Sequence, residues 1–176
     1  MIKVNFFGVT SFVTGLQPLL AASTAGRVAV VGSISGTHPV DAPLLDALLA
    51  DDEAAALERV ALAQSHHLYP STKRALGQWV RRTALAKGWA DAGIPVNVVA
   101  PGVVSTPMIT DLLADPAMKD VMDAAVPMPL SGYADPVVIA RALAFLVAAE
   151  NTHITGQVLY VDGGAEVTTR GAEFGW

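Results

Sequence analysis

The chain has 176 residues, 52% hydrophobic and 15% charged, which suits one domain with a substantial core and excludes extensive disorder. Eleven basic and sixteen acidic residues give a net charge of −5, with no Lys/Arg cluster, so a nucleic-acid surface is not expected. The absence of cysteine removes disulfides, thiolate catalysis and thiolate metal sites, and is compatible with a cytoplasmic protein.

Between Lys3 and Arg27 lie 23 uncharged residues, superficially like a signal peptide or membrane span. Asn5, Thr10, Ser11, Thr14 and Gln17 would need partners in lipid, and Pro18 interrupts a uniform span. The segment therefore reads as a buried helix over residues 2–22, with Val4, Phe7, Phe12, Leu16 and Leu20 as its apolar positions. A continuous apolar run at 27–31 predicts a strand covered on both faces. After the loop Gly32-Ser33-Ile34-Ser35-Gly36, residues 42–64 predict one or two acidic amphipathic helices.

A longer helix is predicted from Tyr69 to Trp89, closed by Gly93, followed by a strand at 95–100 that stops at Pro101-Gly102. Short helices are predicted at 108–113 and 116–124. A helix capped by Asp135 with Pro136 in its first turn is predicted to run to about Ala149. The third strand falls at 157–161, and Asp162-Gly163-Gly164 turns it into a C-terminal tail. Strands alternating with helices predict βαβ units and a parallel sheet in an α/β fold.

In such a sheet the ligand crevice lies outside the carboxyl ends of the strands. Ser33 lies just past the first strand, and Pro101-Gly102 just past the second. Tyr69 and Lys73, at i and i+4, share one helical face. A cation beside a phenol favours the phenolate, so Tyr69 can exchange a proton with a substrate oxygen while Ser33 holds that oxygen. The plainer readings are a tyrosine that anchors packing, a solvated Lys73, an Asn5 that caps a helix and a Thr106 that only makes a turn.

Two decoys stand beside these residues. His66-His67 suggests a metal, but neighbours at i and i+1 point apart and no third ligand is spaced to join them. Gly32-Ser33-Ile34-Ser35-Gly36 also fits the G-x-S-x-G of a serine hydrolase with Ser35 central. That reading needs a helix directly afterwards, where Thr37-His38-Pro39 instead predicts a loop.

Asn5, Ser33 in its Gly-Ser-Ile-Ser-Gly loop, and Tyr69-Pro70-Ser71-Thr72-Lys73 together resemble the catalytic tetrad of short-chain dehydrogenases/reductases. The run from Asn97 to Met108 is similar to that family's segment beside the nicotinamide. The stretch from Gly156 to Gly164 resembles its last strand. The resemblance implies a Rossmann-like doubly wound parallel sheet, an NAD or NADP cofactor, and hydride transfer between a secondary alcohol and a ketone. It implies Tyr69 as general acid/base, Ser33 on the substrate oxygen, and Lys73 on the tyrosine and the ribose. Asn5 would hold a water in the proton relay. Pro101, Gly102, Val104 and Thr106 would lie against the cofactor, with Val104 backbone and the Thr106 hydroxyl placing the carboxamide and phosphate.

The sequence departs from the family in two ways. No G-x-G-x-x-G or G-x-x-x-G-x-G occurs, and Met1 falls where the family's fourth helix begins. Only the second half of the sheet, about three strands, is therefore expected within residues 1–176, with poor dinucleotide binding by this chain alone. Ser33 and Tyr69 are also 36 residues apart, so 41–64 reads as an inserted acidic helical element, similar to bacterial 3α-hydroxysteroid dehydrogenase/carbonyl reductases. The expected partners are a small apolar carbonyl or alcohol, contacted by Met108, Ile109, Leu112, Leu113 and Met118, and a second copy in a homodimer. Neither nucleic acid nor membrane is expected. The alternative is a non-catalytic family fragment that only packs or dimerises.

Overall fold

The computed structural model describes residues 1–172, with the side chains of Met108, Asp111 and Leu112 outside that description. Three strands, β1 (Val28–Val31), β2 (Val96–Pro101) and β3 (Val158–Val161), form one parallel sheet in the order β1-β2-β3. Val28 pairs with Val96, and Val98 with Val158. β2 is paired on both edges and buried at every position, which is why it is an unbroken apolar run except for Asn97. The Asn97 amide is spent within the fold: it donates to Ile154 O at 2.7 Å and accepts from Gln157 N at 3.0 Å.

Helices cover both faces. On one face the core joins Ile2, Phe6, Phe7, Leu44, Leu48, Leu76 and Val80 to Val96 and Val98 of β2. On the other, Ile139 and Leu146 of α7 (Pro136–Val147) pack on Val99. Alternate β2 side chains thus feed opposite layers, as a doubly covered sheet requires.

The N-terminal helix opens with a π turn, Lys3–Phe7, and continues as α1 (Gly8–Ala21). Its buried stripe agrees with the predicted one at Phe7 and Leu20 and differs elsewhere. Ile2, Phe6, Thr10 and Val13 face the core, whereas Val4 (74% exposed) and Phe12 (68%) face outward. Two apolar stripes run along this helix at helical spacing, and only contact with α4 selects the inner one. The segment Lys3–Ala21 is long and apolar enough to cross a bilayer by length and composition.

The acidic stretch forms α2 (Ala42–Leu49) and α3 (Glu53–Val60), capped by Asp41 on Leu44 N and Asp52 on Ala55 N. α4 spans Ser65–Thr83, so it begins a turn before Tyr69 and ends six residues before Trp89. Pro70 lies in its second turn, beside which Ser71 and Thr72 donate their hydroxyls to the carbonyls of His67 and Tyr69. Trp89 is buried outside the helix, and Gly93, with φ +73°, closes the short 3₁₀ turn Ala90–Ala92 rather than α4. The rings of His66 and His67 meet edge to face at 4.2 Å instead of pointing apart.

α5 (Pro107–Leu113), α6 (Pro116–Ala125) and α7 lie within two residues of prediction, with Asp115 and Asp135 as caps. The segment read as a tail forms a short helix, α8 (Ala165–Arg170). Asp162 is its anchor, accepting from Gly164 N and Glu166 N, a role that a strand-to-tail reading gives no reason to expect.

Candidate active site

The predicted site residues sit at the carboxyl ends of β1 and β2 and on the first turns of α4. Gly32 N donates to Val99 O at 2.7 Å, which carries β1 pairing one residue further and delivers Ser33 at the sheet rim. The Ser33 hydroxyl accepts from Ser35 N and donates to Ser35 Oγ, both at 3.1 Å, closing the 3₁₀ turn Ile34–Thr37. That four-residue turn runs into extended His38, not an α-helix, so the nucleophile elbow needed for a Ser35 hydrolase is not formed.

Arg74 staples this loop to α4: its Nε donates to Gly36 O at 2.7 Å and its Nη2 to His38 O at 2.8 Å. Sequence reasoning missed Arg74, since a guanidinium bonded to backbone carbonyls across 36 residues leaves no local pattern. Ser33, Lys73 and Arg74 line a cleft of about 750 Å³ together with Val158 and Tyr160 of β3; Tyr69 is not among its lining residues.

Tyr69 and Lys73 share a face as their spacing predicts, with Lys73 Nζ 5.6 Å from the centre of the Tyr69 ring. Nζ donates to Val31 O, at the end of β1, at 3.0 Å. Burial pushes the Lys73 pKa below that of an ordinary lysine, because the ammonium has traded water for a single carbonyl. The Tyr69 hydroxyl forms no hydrogen bond to protein among the described residues. Asn5 lies in the π turn, which packs against α4, and its side chain likewise forms no hydrogen bond to protein among the described residues. Asn5 and Lys73 are thus placed on adjoining elements without a direct bond.

At the end of β2, Gly102 N donates to Val161 O at 3.1 Å. A Cβ at Gly102 would lie 2.8 Å from Met128 Sδ and 2.9 Å from Asp162 Cα, so only glycine fits. Val104 forms a parallel bridge with Ala134, made by Ser105 N to Ala134 O (2.9 Å) and Ala134 N to Val103 O (3.0 Å). This geometry leaves the N–H and C=O of Val104 itself without a protein partner among the described residues. Thr106 holds the N-cap position of α5, yet its hydroxyl makes no cap bond. Free amide, carbonyl and hydroxyl groups on one short strand-to-helix link suit a ligand that presents its own amide and phosphate.

Of the apolar residues assigned to substrate contact, Ile109 packs with Val103, Val126 and Met122, and Met118 is exposed. The side chains of Met108 and Leu112 lie outside the described residues.

These elements, in this order, define a class. The family model described as enoyl-(acyl carrier protein) reductase matches residues 54–166. The chain is 30% identical over 179 aligned residues to a 3-alpha-hydroxysteroid dehydrogenase/carbonyl reductase of Comamonas testosteroni, covering 99% of this chain and 68% of that protein. It belongs to the short-chain dehydrogenase/reductase family and corresponds to its C-terminal part.

Among solved structures, the 3-alpha-hydroxysteroid dehydrogenase of Pseudomonas sp. B-0831, complexed with NADH, superposes with a TM-score of 0.87 at 37% identity. That match covers 98% of this chain and 68% of that one. Glucose 1-dehydrogenase of Gluconobacter oxydans is 41% identical over 104 residues, covering 58% of this chain and 38% of that enzyme.

Proposed function

We propose that this chain supplies the catalytic part of an NAD(P)-dependent oxidoreductase that interconverts a secondary alcohol and a ketone. The observation that carries the reading is the Tyr69–Lys73 pair, with the ammonium 5.6 Å from the phenol ring and anchored on Val31 O beside the Ser33 loop. Tyr69 Oη donates a proton to the carbonyl oxygen during reduction and takes it back during oxidation. Ser33 Oγ, held by Ser35 N, turns its hydrogen from Ser35 Oγ to the same oxygen when substrate is bound. Lys73 stabilises the negative charge that develops on the phenol oxygen. Asn5, on the widened turn against α4, holds a water that links this charge to solvent.

The residues fit the nicotinamide cofactor. The unpartnered N–H and C=O of Val104 match a carboxamide and the Thr106 hydroxyl a phosphate oxygen, and Pro101-Gly102 lead into this link from the end of β2, with Gly102 packed close on Met128 and Asp162. When bound, the cofactor supplies or accepts the hydride. The 3-alpha-hydroxysteroid dehydrogenases among the relatives support an apolar, steroid-like ketone as substrate. For the complete protein we propose a homodimer rather than a tetramer: the 41–64 element packs on α4, among the helices that the family resemblance makes the usual dimer face, and an added element there should alter that packing.

Tyr69→Phe is the direct test. Turnover falls by at least about 100-fold while NAD(P)H affinity stays within about twofold of wild type. Retained turnover would remove Tyr69 from the proton-transfer role.

A further inference from the structure

The phenol of Tyr69 is held from beneath. Its oxygen has no protein hydrogen bond among the described residues and the residue is 38% exposed, so the backbone of its own turn decides where it stands. That turn is weak as helix. Pro70 follows directly and has no N–H, which leaves His66 O without its i+4 donor. Two side chains add bonds to the neighbouring carbonyls of that turn: Ser71 Oγ donates to His67 O at 2.7 Å, and Thr72 Oγ1 donates to Tyr69 O at 2.8 Å. Both hydroxyl-bearing residues are fully buried.

The Ser71 hydroxyl has a second partner from another part of the chain, accepting from Asp41 N at 3.0 Å. Asp41 is itself immobilised. Its carboxylate accepts from Leu44 N at 2.9 Å and takes Arg59 Nε and Nη2 side by side, each at 2.7 Å. This two-pronged geometry fixes orientation as well as distance. A continuous path therefore runs from Arg59 on α3, through Asp41 at the head of α2, to Ser71 Oγ and on to the His67 carbonyl. It links both ends of the inserted element to the turn that carries Tyr69.

We infer that Asp41, Arg59 and Ser71 are positioning residues: through the Ser71 hydroxyl, the 41–64 element clamps the turn that presents the Tyr69 phenol. The inference rests on the proposed role of Tyr69. A buried serine needs a hydrogen bond, and His67 O alone would satisfy it. The added bond from Asp41, locked by Arg59, converts local satisfaction into a tie between two elements.

Ser71→Ala in the full chain cuts the tie while leaving the Asp41–Arg59 pair intact. Two readouts follow. Amide exchange at residues 68–72 accelerates about tenfold while Leu76 and Val80 exchange as in wild type, the mark of a local opening. In ketone reduction, kcat falls about 10- to 100-fold with KM within about twofold, as expected when a reacting group is displaced by a fraction of an ångström to one ångström.

Arg59→Leu reproduces both effects, and Arg59→Lys, which keeps the charge but not the fork, recovers part of each. Unchanged exchange at 68–72 overturns the clamp. So does acceleration along the whole of α4, which marks general destabilisation. Amide exchange needs no cofactor and decides the clamp by itself; a wild type that binds NAD(P)H yet reduces no ketone makes the reading of Tyr69 fail independently.

Discussion

Lys73 is tied to a carbonyl, not to a carboxylate, and the difference governs what it can do. Val31 O orients the ammonium without neutralising it, so its full charge acts on the neighbouring phenol. Replacement by Met removes that charge but keeps the stem in place. Lys73→Met is expected to lower kcat at least about 100-fold and to weaken cofactor binding as well, since the ribose loses a donor. Lys73→Arg should not restore activity, because a planar fork cannot present one compact donor between Val31 O and the phenol. Single-turnover rates with a titration of NAD(P)H separate the two losses; full activity in the Met variant would exclude Lys73 from the site.

At this scale the sequence was informative wherever chemistry and spacing coincide. The i, i+4 placement of Tyr69 and Lys73 and the position of Ser33 after an apolar run are both readable without coordinates. Arg74 and Ser71 were not, because each acts on backbone carbonyls, and every residue has one of those.

Among the helices, the inserted pair α2–α3 is seated chiefly through α2. Leu44 and Leu48 are fully buried between α2 and α4, and Ala56 closes the contact from α3. Leu48→Ala leaves a cavity there and is expected to cost about 2–5 kcal/mol in urea unfolding. A loss well below 1 kcal/mol would mean the element is only loosely docked.

The Asp41 carboxyl adds a pH dependence. The Arg59 guanidinium holds its pKa below the usual carboxylate range, with a further contribution from Leu44 N against the opposing effect of burial. A carboxyl depressed in the fold stabilises above its unfolded pKa of about 3.9, and that stability is lost as pH falls through the lower folded value. Asp41→Asn should therefore lower the melting temperature at pH 7, with the gap to wild type closing as pH falls below about 4. A pH-independent gap would show that Asp41 acts only as an uncharged cap.

Helix α4 shows why element boundaries were the least legible feature. A start at Tyr69 is read from the sequence, yet the helix begins at Ser65 and carries Pro70 in its second turn, with Gln64 making no side-chain cap bond that could mark the boundary.

For the molecule as a whole, the parallel sheet and its alternation with helices were readable because β2 is apolar except for Asn97 and the punctuation by Gly, Pro and Asp is plain. The surface was not. Val31 is 50% exposed, although it lies in a run that reads as a fully covered strand, and Leu159 of β3 is 37% exposed. β1 and β3 each pair on one side only among the described residues, leaving two apolar edges that invite pairing with another chain. The polypeptide 1–176 is expected to self-associate in sedimentation velocity, in proportion to its concentration. It is also expected to lack micromolar NADH affinity (about −8 kcal/mol), since no Gly-rich phosphate turn occurs in this sequence. A monodisperse monomer with micromolar NADH affinity would refute both statements.

The register of the sheet also sets a timetable. Val28 cannot pair until Val96 exists, 68 residues later in the chain. At ribosomal rates that is roughly 3–14 s during which a strand of Val and Ala waits without this neighbour. The 41–64 element lies within that interval and lengthens it. A segment that steadies the Tyr69 turn in the finished protein therefore prolongs the exposure of β1 in the unfinished one. Shortening it would quicken closure of the sheet during synthesis while loosening the turn that presents the phenol.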